Sequence, residues 1–376
     1  SRWESDMKRK TYAKEQHLYN FAAQYNLDGL TNVQFGFNGY NNPASIGQYR
    51  VPTMIYNTDN NQLISSYLTA NNRAEYANNF NAYMVVDKKL GEHNLNWSNN
   101  YSLRHYTENQ EVTTFLNFDH QPYENHFGTE SLQDIHLISS QLDYSWNKEN
   151  FGLESGIKYS FVKNQNDLDF FENQPLTYSS EKSNRYNYEE QIFAAYVSSN
   201  FKWKDWEFKA GLRSETTWIK TNSTNPKIKN NKVETQFFPT IYVMRNLGEN
   251  QLSLSYGKRI SRPNYTFLNP SKSYYNLFSY FQGDANMKST LINNLNLAYT
   301  FKNWNFEVYY RYEKDPAMEI SIQNPETFET VYHFTNIKNG EAFGFNFSKN
   351  FSLKPWWKLN IFGMGEYNEN YYFGSD

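Results

Sequence analysis

The chain has no cysteine, which excludes a disulfide scaffold and any thiolate metal centre. It also has no long apolar run. The longest, Ile192 to Val197, falls far short of the roughly 20 residues a membrane-spanning helix requires. Charge of one sign is missing as well: 36 Lys and Arg face 39 Asp and Glu. A formal charge of −3 supplies no basic field for nucleic acid, so that partner class is set aside. No phosphate-binding Gly-rich loop, no H-E-x-x-H and no G-x-S-x-G occurs, so no cofactor is implied. The first residues, Ser1-Arg2-Trp3-Glu4, lack the charged-then-apolar pattern of a signal peptide. Either a signal has been removed or the chain starts inside something larger.

What is present is unusual. Aromatic residues reach 19% (32 Tyr, 29 Phe, 9 Trp), yet hydrophobic residues total only 39% and mean hydropathy is −0.85. A disordered chain is poor in aromatics, so disorder is excluded. A soluble core draws on Leu, Ile, Val and Ala, whereas here the apolar content sits in rings and the polar content in asparagine.

The organising signal is period-two alternation. In Asn294 to Phe301, Leu295, Leu297, Tyr299 and Phe301 share one face, opposite Asn294, Asn296, Ala298 and Thr300. After a two-residue turn at Lys302-Asn303, Trp304, Phe306, Val308, Tyr310 and Tyr312 alternate with Asn305, Glu307, Tyr309 and Arg311. Successive strand side chains point to opposite faces, so each segment has one apolar and one polar side. Phe151, Leu153, Ile157, Tyr159 and Phe161 repeat the pattern, as do Leu95, Trp97, Tyr101 and Leu103, and Phe343, Phe345 and Phe347. Trp206, Phe208, Ala210 and Leu212 oppose the charged row Glu207, Lys209, Arg213 and Glu215. Such a row suits a wet lumen and not a dry core. On this reading Glu207, Lys209, Arg213, Glu215, Arg259, Glu307 and Arg311 face a lumen.

The turns alternate in length. Short polar turns centre near Asp28, Gly91, Lys148, Asp205, Gly248, Lys302 and Lys354. Between them lie long connections, roughly 41–77, 107–133, 163–187, 221–232, 261–290 and 314–330. Short turns at one end and long loops at the other mark an outer-membrane barrel. The fold class is therefore all-β: a transmembrane antiparallel up-and-down β-barrel with about 14 readable strands. A soluble antiparallel sandwich also alternates, but it gives no reason for long strands, unequal loops and paired charges on one face. Trp97, Trp146, Trp206, Trp304, Trp356 and Trp357 are expected in an interfacial girdle, several of them beside short turns. The first strand, near 12–26, runs toward a short turn and the last, near 356–372, runs away from one. Both ends then lie on the long-loop side, so residues 1–376 are expected to form one barrel segment lacking strands at one or both ends.

Particular residues then resemble a known family. Phe238-Pro239-Thr240, the run Leu247 to Pro263 containing Arg259-Ile260-Ser261-Arg262-Pro263, and Leu268-Asn269-Pro270 resemble the barrel of TonB-dependent outer-membrane receptors, and within them the Bacteroidota outer membrane protein beta-barrel family. Ala194-Ala195-Tyr196 and Ala210 to Glu215 are similar to an upstream signature of the same group. The resemblance runs from about Asn187 onward. Relatives carry a Gly-Asn-Pro-x-Leu-x-Pro stretch, where this chain has Gly283 to Ser289 without either proline. The resemblance implies a barrel of about 22 strands, location in the bacterial outer membrane, and contact with the TonB system through a plug domain not visible in this chain.

Sites are sparser. Asp119, His120, Glu124 and His126 share one expected loop with ligand types for a divalent ion, and Asp167, Asp169 and Glu172 with types for Ca²⁺; a solvated polar loop is the plainer reading of both. Glu189 and Glu190 are adjacent on a strand, point to opposite faces and cannot share a site. Tyr265, Phe267, Tyr274, Tyr275, Phe278, Tyr280 and Phe281 crowd one expected extracellular loop. Rings there suit contact with a ligand or partner, or packing against neighbouring loops.

Two functional readings follow. One is the wall of an energised receptor that imports an unidentified nutrient. The other is a receptor-like barrel without transport that serves as a scaffold or subunit of a larger outer-membrane complex. Lipid, the TonB system, and a surface lipoprotein or larger membrane complex are the partners these readings name. A passive porin should have both termini in the periplasm, and an enzyme needs a catalytic polar cluster that is not found.

Overall fold

Strands with one apolar and one polar face are stable in lipid only when both edges are paired, because unpaired backbone groups there cost several kcal/mol each. The computed structural model, which describes residues 2–13, 15–118, 121–324, 327 and 329–373, answers that demand with long antiparallel strands, each wall strand between the first and the last being paired with a neighbour on either side. Three pieces, β1 (Arg2–Ser5), β2 (Lys8–Ala13) and β3 (His17–Asn26), lie successively along β4 (Thr31–Tyr56). Then come β5 (Leu63–Leu90), β6 (His93–Phe118), β7 (Gln121–Lys148) and β8 (Phe151–Glu172). After the small β9 (Thr177–Tyr178) the wall resumes with β10 (Asn184–Trp203), β11 (Trp206–Ser223), β12 (Ile228–Leu247) and β13 (Asn250–Ser261). A short helix α1 (Tyr265–Leu268), β14 (Lys272–Asn276) and β15 (Ser279–Gln282) leave it. β16 (Thr290–Phe301) and β17 (Trp304–Lys314) rejoin, β18 (Ala317–Gln323) and β19 (Thr330–Asn336) leave again, and β20 (Asn339–Lys354) and β21 (Trp357–Tyr371) follow.

The main sheet has 17 strands; setting aside β1, β2 and β9 leaves fourteen that pair with their neighbours in chain order. Every expected short turn is present. At Lys302-Asn303 both residues have positive φ (45° and 69°), the two-residue hairpin turn whose twist matches the strands it joins. Gly91 and Gly248 supply the same left-handed backbone (φ 65° and 66°) where a side chain would be strained.

Register carries the apolar band from strand to strand. Leu212 lies between Val197 and Pro239, Leu254 between Val243 and Leu297, and Val308 between Leu297 and Phe345. All these positions share one face, and Leu212, Leu254, Leu297, Val308 and Phe345 are exposed on it. An exposed apolar band of this extent belongs against lipid. Trp206 stacks on Phe208 and Trp304 on Phe306 beside short turns, and Trp356 stacks on Trp357. The other face is polar and internally hydrogen-bonded. Asn81 donates to Asn38 (3.1 Å) and accepts from Ser102 (2.6 Å), Asn96 donates to Asp87 (2.5 Å), and Tyr196 donates to Asp143 (2.8 Å). Gly344 makes room there: a Cβ would collide with the Tyr309 ring across the strand pair.

The long connections are largely strand, with irregular stretches such as 57–62 and most of 173–183 at their tips. β4 to β7 run 26 to 28 residues each, well over twice the roughly 9–11 that cross a bilayer. Pairing of β4 with β5 continues from Asn41↔Asn78 out to Tyr56↔Leu63, and that of β6 with β7 from Thr107↔Leu132 out to Phe118↔Gln121. The reason is physical. Above the membrane the outer face no longer has to be apolar, so alternation fades, while strand pairing continues to satisfy most backbone N–H and C=O groups. The regions expected as loops at 261–290 and 314–330 instead form a second sheet, ordered β14-β15-β19-β18, in which β15 and β19 are parallel.

The facing assignment is testable by unfolding from lipid vesicles in denaturant. Leu212→Arg, in mid-band on the lipid face, should cost about 2–4 kcal/mol, whereas Lys209→Arg on the polar face should be nearly neutral. Equal costs would refute the facing.

Candidate functional site: a vestibule at the long-loop end

Beyond the apolar band, the inner faces of the extended strands are buried although polar. Thr69, Thr114, Asn164 and Asn184 are each 2% exposed or less. What covers them is the second sheet with the segment that carries it. Side-chain amides of the wall reach its backbone: Asn71 donates to the Tyr275 carbonyl (3.1 Å) and Gln110 to that of Tyr274 (2.8 Å). Asn184 donates to the Ser271 hydroxyl (2.9 Å). These bonds satisfy groups that would otherwise be costly to bury.

All seven rings expected at one loop belong to this assembly. Tyr274 sits between Phe127 and Phe170 (5.2 and 5.4 Å between centroids), Phe278 against Tyr67 (5.2 Å), and Tyr265 against Tyr188 (5.5 Å). Phe267 stacks on Phe334 at 3.8 Å and 3°, with Phe281 beside both. Tyr280 is buried under the Lys272 ammonium (4.2 Å), and Tyr275 meets Tyr332 edge-on while staying 47% exposed. Six of the seven are thus packing rings and Tyr275 alone is left well exposed.

The segment is anchored where it leaves the wall. Arg262 donates to Glu215 (2.7 Å) and to Thr217 (3.2 Å), and Arg213 donates to the other oxygen of Glu215 (2.6 Å). Glu215 is buried, so its charge stands on these two guanidinium groups. Of the other charges expected at the lumen, Glu207 pairs with Lys202 (3.2 Å), Lys209 with Glu154 (3.7 Å), and Arg311 with Glu313 (3.1 Å) and Glu366 (3.8 Å). Glu307 accepts from Asn346 (3.2 Å), and Arg259 lies on the polar face of β13 in register with Ile292. The structure therefore separates them: Arg213 and Glu215 belong to an anchor and the rest to the polar wall. Alternation places Glu154 on the polar face of its strand but not beside Lys209, and Arg262 and Glu366 escape it altogether, because only the tertiary structure brings them to their partners.

The metal candidates fare differently. Asp119 and His120 lie outside the described residues. Asp167 and Asp169 share a face of β8 and both pair with Arg185 (3.6 and 2.6 Å), while Glu172 takes Lys182 (2.5 Å). Among the described residues no three such side chains gather around a common point. Glu190 is buried and accepts from Tyr188 (2.8 Å), whereas Glu189 stands on the opposite face.

Between the second sheet and the wall opens a cavity of about 700 Å³, a volume typical of small-molecule sites. Phe127, Phe170 and Tyr274 line it from three elements, with Glu124, Glu172, Lys182 and Lys272 among its charges. The Lys182 ammonium holds the Glu172 carboxyl below the usual carboxylate range, and burial pushes the Tyr274 hydroxyl above that of free tyrosine. The cavity lining thus combines charged side chains with a cluster of three packed rings.

The family model described as outer membrane protein beta-barrel family matches residues 86–376. No curated protein matches the chain in sequence. Among solved structures, the copper transporter OprC is similar with a TM-score of 0.52 at 10% identity, over 97% of this chain and 62% of that one. The FrpB iron transporter from Neisseria meningitidis gives 0.48 at 10% identity (99% and 64% covered), and the ferric citrate transporter FecA 0.48 at 9% (99% and 60%). The chain thus spans less than two thirds of the length of these structures. The likeness to OprC carries the fold.

Two substitutions probe the anchoring. Glu215→Ala leaves Arg213 and Arg262 without their shared acceptor and should loosen the segment by about 1–3 kcal/mol. Amide hydrogen exchange across residues 262–289 should accelerate accordingly, while Glu207→Ala, at a more exposed pair, should leave it unchanged. Phe267→Ala, which removes the stacked partner of Phe334, should accelerate exchange in β19 as well, and protection unchanged in both variants would refute the anchoring role.

Proposed function

The chain belongs to the outer membrane protein beta-barrel family, and from that premise we propose that it is the wall of a TonB-dependent outer-membrane receptor that takes up a scarce nutrient. The observation that carries this reading is the pairing of a long, polar-faced barrel wall with a ligand-sized cavity at its long-loop end. A passive pore needs no such cavity. A receptor does, because the ligand must be held at low concentration before it is passed inward. The polar inner face, with its pairs Glu154–Lys209 and Glu366–Arg311, supports an aqueous interior. In this proposal a plug domain outside these residues fills the interior and contacts the TonB system, as large barrels of this kind require. A surface lipoprotein at the mouth would be a further partner.

One observation favours the second reading, a receptor-like scaffold without transport. The vestibule is already partly occupied by the chain's own second sheet, anchored by buried rings and ions. A barrel kept closed in this way could serve as a membrane-embedded subunit.

Deletion of the gene separates the two. Transport predicts that the mutant loses growth on one limiting nutrient, and that a protonophore abolishes uptake of that nutrient in the parent strain. If uptake of every nutrient tested is unaffected while a membrane complex falls apart, the scaffold reading stands and transport is refuted.

A further inference from the structure

We infer that the vestibule cavity takes an organic cation, an amine- or guanidinium-bearing molecule with an apolar or aromatic body, an inference that rests on the receptor reading above. Four carboxylates line the cavity, Glu124, Glu172, Glu181 and Glu329, against the two ammonium groups of Lys182 and Lys272. Both ammonium groups are committed. Lys272 lies over the Tyr280 ring at 4.2 Å, and Lys182 pairs with Glu172 at 2.5 Å. Glu124, Glu181 and Glu329 have no ion-pair partner among the described residues, so the lining carries surplus negative charge.

The aromatic part points the same way. Phe127 and Phe170 stack with centroids 5.3 Å apart, and Tyr274 closes on both. Aromatic faces are electron-rich and attract cations, most strongly where water is partly excluded. The structure contains its own demonstration of the fit: the Lys182 ammonium stands over the Phe170 ring at 5.1 Å while bonded to Glu172. A ring face and a carboxylate together hold an ammonium there. Lys182 is about half exposed and hangs on a flexible stem, so an incoming cation can displace it. An anionic ligand would meet the unpaired carboxylates and find both ammonium groups engaged. A bare metal ion would find no gathered ligand set among the described residues.

Binding to the purified full-length protein in lipid nanodiscs tests this without any requirement for transport. Three probes of one shape suffice: naphthyl-spermine, its fully N-acetylated form, and a naphthyl polycarboxylate of equal length. The polyamine should bind about tenfold or more tightly than the acetylated probe, the polycarboxylate should not bind, and added salt should weaken the polyamine. Substituting Glu181→Gln with Glu329→Gln should weaken the polyamine by about tenfold. Lys182→Ala should strengthen it, because the internal competitor is gone; a purely structural Lys182 predicts the reverse. Equal binding of all three probes, preference for the polycarboxylate, or no polyamine binding in the unaltered protein overturns the inference. Polyamine binding without energised uptake in cells supports this inference while refuting transport, and uptake of a nutrient lacking amines, with no polyamine binding, refutes this inference alone.

Discussion

Every feature of this wall descends from the rule that a backbone amide in lipid must be hydrogen-bonded within the protein. Strands meet it only by pairing along both edges, and consecutive strands pair most simply when they run up and down. Fourteen strands here pair in chain order with unbroken register over most of their length. That register delivers the side chains: once Leu254 is set beside Leu297, and Leu297 beside Val308, the apolar face of one strand determines the face of the next. The chain is hydrophilic on average because only one face of each strand, over part of its length, has to be apolar.

Past the band the solvent changes and the rule relaxes, yet pairing persists because a hairpin already started is the cheapest way to satisfy the next backbone group. The outcome is a tall collar whose inner face would be wet. The chain covers it with its own second sheet, using amide-to-backbone bonds such as Gln110 to Tyr274 and ring contacts such as Tyr67 to Phe278. A buried polar side chain is tolerable there where it meets a partner and not an apolar wall, as Asn184 does with Ser271 and Ser223. The molecule therefore has two organising regimes. One is apolar outside and polar inside within the membrane; the other is a polar-lined core with aromatic clusters above it.

This division explains what the sequence made legible. All seven short turns, the fourteen wall strands and the facing of rows such as Trp206 to Leu212 follow from period-two alternation and from Gly, Asn and Asp at the turns. The extensions do not, since residues such as Asn71, Thr113 and Gln110 carry no apolar contrast to mark a strand, and alternation alone reads them as loops. The seven rings of 265–281 were legible as a group, but not their partners Phe127, Phe170, Tyr188 and Phe334, which come from distant strands. The pairing of Arg262 with Glu215 joins residues 47 positions apart and leaves no local trace. Spacing alone groups Glu172 with Asp167 and Asp169, although strand parity turns it to the opposite face.

The cavity lies on the seam between these two regimes, and that position has an energetic consequence. Phe127 and Phe170 belong to the wall and Tyr274 to the second sheet, so a molecule held among them contacts both bodies at once. Any ligand that requires all three rings binds the docked arrangement better than an undocked one, and it stabilises docking by the difference in affinity. The same reasoning runs in reverse: contacts that hold the sheet down, Glu215 with its two arginines and Phe267 with Phe334, contribute to the affinity of the cavity without touching its contents. Anchor and cavity are therefore thermodynamically linked. A residue far from the ligand, such as Arg262, matters to recognition because it keeps one wall of the cavity in place.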